Sequence, residues 1–280
     1  MEDFIKRAPD TMESARYSAM RERSVGLGVM GFHSFLQKKR IPFESVMAKV
    51  WNKRIFSQIK EEADKASILL ANEKGACPDA KEYGVNERFS NKIAIAPTAS
   101  ISIICGGASP GIEPIAANSF TQKTLSGSFN VRNPHLKSLL AEKGKDNEEI
   151  WSSITINKGS VQHLEFLEDS EKAVFKTAFE LDQRRIIELA GDRTPYVCQA
   201  QSLNIFLKPD VNKRDLHMIH FSAWKRGVKS LYYLRSLSIQ RAEVVSHNKK
   251  TTEVPIKGKI NEGEQPYGDQ LDYDECLSCQ

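Results

Sequence analysis

The chain ends Asp274-Glu275-Cys276-Leu277-Ser278-Cys279-Gln280, and this close cysteine pair invites three chemical readings. A zinc knuckle needs a second Cys or His pair at short spacing. Cys77, Cys105 and Cys198 stand alone, and His217 and His220 lie on a helical stretch with Trp224. An inert exposed pair leaves two thiols open to oxidation for no return. A dithiol shuttle uses both sulfurs, closing to a disulfide and being opened again by another thiol. The carboxylates of Asp272, Asp274 and Glu275 disfavour the thiolate, so such a pair reacts slowly until it docks near positive groups.

Two further stretches carry chemistry. Leu231-Tyr232-Tyr233-Leu234-Arg235 sets two phenols side by side. Adjacent aromatics in a strand are ordinary packing residues. Phenols also lose an electron and a proton together, giving a neutral radical that leaves no charge in a low-dielectric interior. Upstream, Ala94-Ile95-Ala96 runs into Pro97-Thr98-Ala99-Ser100-Ile101-Ser102. A strand, a proline, then small hydroxyl residues opening an apolar helix present unpaired backbone N–H groups to an anion, with Thr98 and Ser100 as extra donors. A plain helix N-cap has the same pattern.

Gly26-Leu-Gly28-Val-Met-Gly31 matches the G-x-G-x-x-G dinucleotide fingerprint. That motif works only between a buried strand and a helix. Here Arg21-Glu22-Arg23-Ser24 precedes it, and Glu44, near the distance of a ribose-binding acid, follows Pro42 and reads as a helix cap. The glycines read as sites of close backbone packing.

The elements that must position these groups follow from periodicity. Val46, Val50, Ile55, Ile59, Ala63, Ala66 and Leu70 predict a helix over 44–74, stopped by Gly75. A second helix is expected over 170–190, with Ser170 as N-cap and Gly191 closing it. Strands are expected at Lys92–Ala96, Gln201–Leu207 and Leu231–Leu234, and a helix at Asp215–Lys225. Alternating strands and helices predict a parallel α/β architecture. From Ser246 to Gln280 the chain carries many charges and almost no apolar periodicity, which predicts a mobile tail.

Composition sets the frame. With 280 residues, 40% of them hydrophobic, the chain is long enough for a sizeable core. Forty Lys plus Arg against 36 Asp plus Glu make a mixed surface, not a nucleic-acid footprint. No run of about 18 apolar residues occurs, as a spanning helix requires. The opening MEDFIKRAPD lacks the apolar core of a signal peptide. Five cysteines, scattered but for one pair, fit a reducing cytoplasm better than a secreted disulfide framework.

In combination these motifs resemble the C-terminal part of the large subunit of class I ribonucleotide reductases. Pro97-Thr-Ala-Ser, then Gly106-Gly107, then Gly111-Ile-Glu113-Pro114 resembles the family's substrate-phosphate loop. The resemblance implies that Pro97, Thr98, Ala99, Ser100 and Ile101 contact the diphosphate of a ribonucleoside diphosphate. Ile101 stands where Ser or Thr is usual and Ile103 where Gln is common, so mainly main-chain binding is expected at Ile101. Gln201-Ser-Leu-Asn204-Ile-Phe, a helix ending Trp224-Lys-Arg-Gly227-Val-Lys, and Leu-Tyr-Tyr-Leu-Arg match the end of the family's barrel. Cys198 takes a place where an acidic residue is common. The resemblance assigns Tyr232 and Tyr233 to a radical relay, Cys276 and Cys279 to re-reduction of an active-site disulfide, and the Asp215–Lys225 helix to the border of a groove for the small subunit's C-terminal peptide.

The fold so implied is α/β: residues 1–240 form the second half of a ten-stranded barrel, and 241–280 a flexible redox-active tail. Roughly 39 residues from about 241 to Cys279 span ~30–40 Å as a flexible coil, enough to visit a buried site. The radical-bearing cysteine and the effector sites lie upstream in relatives. A second polypeptide, the N-terminal large-subunit half, is therefore expected. The other implied partners are a radical-generating small subunit with a dimetal site and thioredoxin or glutaredoxin; no cofactor is expected on this chain itself. A non-catalytic regulatory or decoy fragment that keeps only the small-subunit groove is the rival reading, and a decoy has no chemical need for the tyrosines or the terminal cysteines.

Overall fold

The structure, a computed structural model, describes residues 5–124 and 127–236. A 3-10 turn at Asp10–Met12 leads into α1 (Glu13–Glu22). Helix α2 (Phe32–Lys38) is followed by the long α3 (Val46–Lys74) and the short α4 (Pro78–Glu82) and α5 (Ala99–Ile104). An antiparallel hairpin pairs β1 (Ser119–Thr124) with β2 (Gly127–Arg132), Ser119 opposite Arg132. Then come α6 (Pro134–Glu142), α7 (Glu148–Ile156), α8 (Asp169–Val174), α9 (Gln183–Arg193), β3 (Ile205–Leu207), α10 (Lys213–Lys225) and β4 (Leu234–Ser236). No helix among the described residues is long and apolar enough to cross a membrane.

The expected long helix is present as α3. The Ser45 hydroxyl accepts the Ala48 N–H at 3.2 Å, and Gly75, at φ 82°, ends it. Glu44 does not cap it. Its carboxylate takes the Lys176 ammonium at 2.7 Å and the Asp182 N–H at 2.8 Å, tying the start of α3 to the approach of α9.

The single helix expected over 170–190 is two. Glu168, not Ser170, caps α8 in a capping box with Glu171. The chain then breaks because side chains outbid the helix for its amides. Glu180 accepts the Thr177 N–H at 2.8 Å and hydroxyl at 3.0 Å, and Asp182 caps α9 through the Arg184 N–H at 3.0 Å. Gly191 sits inside α9 and does not close it. A Cβ there would stand 2.9 Å from the Cβ of Arg226, so the glycine lets α9 approach the end of α10.

The parallel sheet is a ladder of four segments: Leu27 bridges Ile93, Ile95 bridges Gln201, and β3 pairs β4 with Ile205 opposite Leu234. Regular strand is shorter than expected, and side chains are the reason. Along Lys92–Ala96 only Ile93 and Ile95 bridge, because the Cys198 sulfur takes the amides of Lys92 and Ile93 at 3.1 and 3.0 Å. Gln201–Leu207 becomes regular only at Ile205, and the strand expected at Leu231–Leu234 begins at Leu234. Between them the Asn204 side chain accepts the Tyr233 N–H at 3.1 Å in place of a strand carbonyl.

The main core gathers Phe32, Leu36, Phe43, Phe56, Ile93, Ile95, Ile187 and Ile205 around this ladder. A second cluster, with Leu136, Leu140, Trp151, Ile154 and Phe175, lies under α6 to α8. His33 joins the two. Its ring is 1% exposed, its Nδ1 accepts the Ile115 N–H at 3.0 Å, and it is hydrogen-bonded to the Val174 backbone at the end of α8. Burial pushes its pKa down to about 3, with the Val174 bond opposing. The folded value is depressed, so the stability it contributes is complete above the unfolded pKa near 6.5 and is lost as pH falls toward the folded value. Between pH 8 and pH 5 that loss is about 2 kcal/mol. Urea unfolding of wild type and His33→Gln at both pH values should show the difference between them moving by about that amount in favour of the variant at pH 5. An unchanged difference would mean that His33 is protonated in the fold.

Candidate functional site

The loop ahead of α5 is strained. Thr98 stands at φ 54°, in the left-handed region a β-branched residue avoids. Its hydroxyl accepts the Gly111 N–H at 2.8 Å, and its carbonyl accepts the Ser102 N–H at 2.9 Å, so both neighbours hold it there. Its hydroxyl proton remains available. Pro97, Thr98 and Ala99 are half-buried, while Ser100 and Ile101 are exposed. The first-turn amides of Ala99, Ser100 and Ile101 have no helical carbonyl four residues back to bond. This gives an exposed arc of main-chain donors with the Ser100 side chain beside it.

The return loop connects this arc to the tyrosines. From Gly111 the chain passes through buried Ile112 to Glu113, which is 5% exposed. Burial pushes the Glu113 pKa up to about 7, opposed by the nearby Asn204 and by the charge of Arg235. One carboxyl oxygen, Oε1, has no hydrogen-bond partner among the described residues. Asn204 then accepts the Tyr233 N–H, while the Tyr232 N–H donates to Leu203 O at 3.0 Å and the Ile205 N–H to Tyr233 O at 2.9 Å. The Tyr232 and Tyr233 rings lie 4.1 Å apart between centroids, tilted by 56°, and the Arg235 guanidinium sits 5.2 Å from the Tyr233 ring centre. Both phenols are exposed, Tyr232 by 46% and Tyr233 by 37%.

Helix α10 carries an apolar stripe on its open face. His217 stacks on Phe221 at 6.1 Å, Phe221 meets Trp224 at 5.6 Å, and Met218 is exposed beside them. Trp224 is 73% exposed, an unusual position for an indole unless something covers it.

The glycine motif near the start has a different use. The Gly31 N–H donates to Ser109 O at 2.8 Å, the Phe32 N–H to Gly111 O at 3.4 Å, and the Ser34 N–H to the Ser109 hydroxyl at 3.1 Å. The amides that would hold a pyrophosphate at the start of α2 are taken by the protein's own loop. A Cβ on Gly28 would lie 3.0 Å from Ala94 O, so the glycine serves close strand packing.

Of the residues singled out from sequence, Pro97 and Thr98 lead into the first turn of α5, which holds Ala99 to Ile101, and Tyr232 with Tyr233 form one ring pair. Thr98 is tied to Gly111, two residues before Glu113, and Tyr233 is tied to Asn204. Cys276 and Cys279 lie outside the described residues. Cys77 is buried, and Cys198 holds two strand amides, as befits structural thiols. Glu113, Asn204 and Arg235 were present in the motifs but not assigned. Their signal was a carboxylate and an amide on segments otherwise apolar.

Residues 1–83 and 78–234 match the family described as “Ribonucleotide reductase, barrel domain”. The chain is 48% identical over 249 residues to the ribonucleoside-diphosphate reductase large subunit of Invertebrate iridescent virus 6, covering 88% of this chain and 26% of that one. The large subunit of Danio rerio is 35% identical over 257 residues, 80% of this chain and 32% of its own length. Among solved structures, the Actinobacillus ureae class Id ribonucleotide reductase alpha subunit superposes with a TM-score of 0.77 at 42% identity, over 84% of this chain and 44% of that one. The chain thus spans about a quarter to under half of the relatives it matches. Its parallel ladder is part of an α/β barrel, and the chain belongs to the ribonucleotide reductase barrel-domain family.

Proposed function

We propose that this chain supplies the second half of the barrel of a class I ribonucleoside-diphosphate reductase large subunit. It acts with a second polypeptide that brings the radical-bearing cysteine, a dimetal small subunit that supplies the radical, and thioredoxin or glutaredoxin. The observation that carries the reading is that one fold presents both the donor-bearing turn at Thr98 and two tyrosine rings in contact. The reaction replaces the ribose 2′-hydroxyl by hydrogen, is begun by hydrogen abstraction at C3′, releases water, and takes two electrons from a dithiol that closes to a disulfide. The setting is cytoplasmic, where thiols are kept reduced.

This chain's own part divides in three. The Ala99 to Ile101 amides and the Ser100 hydroxyl bind the diphosphate. Tyr232 and Tyr233, with rings in contact, pass an electron without a charged intermediate because each phenol yields its proton with it. The exposed stripe of α10 lines the groove for the small subunit's C-terminal peptide. A largely apolar groove along α3, formed by Leu27, Ile55, Ile59, Ala63 and Ala66 with Gln58 and Glu62, accompanies the outer segment of the ladder and suits that second polypeptide.

A pull-down of the chain from its native cytoplasm, followed by a CDP-reduction assay, tests the whole reading. Recovery of the upstream barrel half, with activity once small subunit and thioredoxin are added, supports it. Recovery of the small subunit alone, without reduction, overturns it in favour of an inhibitory fragment.

Substitutions at two places and one deletion separate the parts in that assembled enzyme. Ser100→Asp places a like charge beside the diphosphate and should raise its KM about tenfold or more without altering radical formation; an unchanged KM removes the phosphate assignment. Tyr232→Phe or Tyr233→Phe should leave folding and substrate binding intact and abolish turnover, and retained turnover ends the relay role. Deleting residues 270–280 should preserve one turnover of prereduced enzyme and abolish repeated turnover with thioredoxin, whereas sustained thioredoxin-driven cycling would show that Cys276 and Cys279 are dispensable.

A further inference from the structure

Helix α10 is the crossover between β3 and β4, which pair in parallel. Its inner face is settled: Ile219 and Ala223 are buried in the same cluster as Ile205, Phe206 and Leu207 of β3. Its outer face is not. Met218, Phe221 and Trp224 are exposed by 49%, 44% and 73%, and the helical turn sets them with His217 in one stripe opposite Ile219 and Ala223. The same turn places Arg214 at the start of that stripe and Lys225 at its end, both exposed. Arg226, just past the helix, is taken by Glu188 at 3.1 Å, whereas Arg214 and Lys225 enter no ion pair among the described residues. An apolar patch framed by two free cations calls for an occupant that is apolar and acidic at once.

The chain itself carries such a segment. Residues 237–260 hold five Lys or Arg against two Glu, so their charge does not suit α10. Residues 261–280 hold six Asp or Glu and no Lys or Arg. Four of those acids fall within 269–275, with Leu271 and Tyr273 between them. We propose that residues 269–275 dock on the outer face of α10, with Leu271 and Tyr273 against Phe221 and Trp224 and the acids against Arg214 and Lys225. Reach is ample. Thirty-five residues separate Ser236, at the end of β4, from Leu271, and as a free coil they span ~30–35 Å. The chain leaves the fold from the strand that α10 leads into, so the tether holds the segment near the helix at an effective concentration on the order of millimolar. Even a weak contact is then populated. The inference stands on the exposed face and the chain's own charge pattern, not on the reductase reading; where that reading holds, the small subunit's peptide must displace this segment to reach α10.

The test is 19F NMR of the full chain labelled with 5-fluorotryptophan, which gives signals for Trp51, Trp151 and Trp224. Trp224→Phe identifies the Trp224 signal, and buried Trp151 and half-buried Trp51 report on the fold. Deleting residues 261–280 should move the Trp224 signal and leave the other two in place. The full chain carrying Asp269→Asn, Asp272→Asn, Asp274→Asn and Glu275→Gln should move toward the same position, as should the unsubstituted chain in about 1 M salt. A synthetic peptide of residues 261–275, added at millimolar concentration to the shortened chain, should restore the original signal, and its charge-neutral form should bind roughly tenfold more weakly. A Trp224 signal indifferent to the deletion overturns the proposal, and if the small subunit's C-terminal peptide then moves it, the face is reserved for that partner. Equal binding of the neutral peptide overturns it too. So does a Trp224 shift that follows protein concentration in both chains, which means that a second copy covers the face, or a deletion that moves all three signals, which means that residues 261–280 support the fold instead of docking on it.

Discussion

Gly111 has no room for a side chain. At φ 48° its missing Cβ would stand 3.0 Å from the carbonyl oxygen of Ala96 and 3.4 Å from that of Pro97. That close approach lets the Gly111 N–H reach the Thr98 hydroxyl and its carbonyl reach the amide that opens α2. Three otherwise independent features then share one anchor: a threonine held in a left-handed conformation, the start of α2, and the course of the chain into Glu113. Any larger residue would push the loop away from Ala96 and release all three, since the contact is with backbone that has no rotamer to yield.

The helices around the ladder are gathered by a buried cation. Arg193, at the end of α9, is 1% exposed; its Nε donates to the Asn52 side chain on α3 at 2.9 Å, and its guanidinium lies 5.3 Å from both the Phe32 and Phe56 rings. Burial draws its pKa down to about 9, which still leaves it charged at neutral pH. Desolvating such a charge is expensive, and two aromatic faces with one hydrogen bond offset it only in part. The compensation is specificity. Asn52 also donates to Leu189 O at 2.9 Å, so one buried polar group fixes how α3 and α9 lie against each other. An all-apolar contact would leave that register open.

Periodicity made α3 and α10 legible, since their apolar steps and caps are local. The break between α8 and α9 was not, because it depends on Glu180 turning back to Thr177 and on Ala178 donating to Ile115 O at 2.8 Å. The second is a contact sixty-three positions away along the chain. Gly191 looked like a stop because glycine at a helix end is common, yet its role is set by Arg226 on another helix. The strand ends were misjudged for a related reason: Cys198 and Asn204 intercept ladder amides, and nothing in a strand's own pattern reports that. The motifs singled out Thr98 and the tyrosines. Glu113 escaped because its importance lies in being buried without a full set of partners, a property that exists only once the chain has folded.

Burial also divides the labour at the tyrosine pair. Glu113 is enclosed, whereas Tyr232 and Tyr233 are partly open to water. Water there screens the field of Arg235, and the effective dielectric near a surface is several times that of an interior. Any surface that covered the rings would remove that screening without moving a charge. The fold fixes the distance between the Arg235 guanidinium and the Tyr233 ring, and how strongly the charge is felt there depends on how much water lies around them.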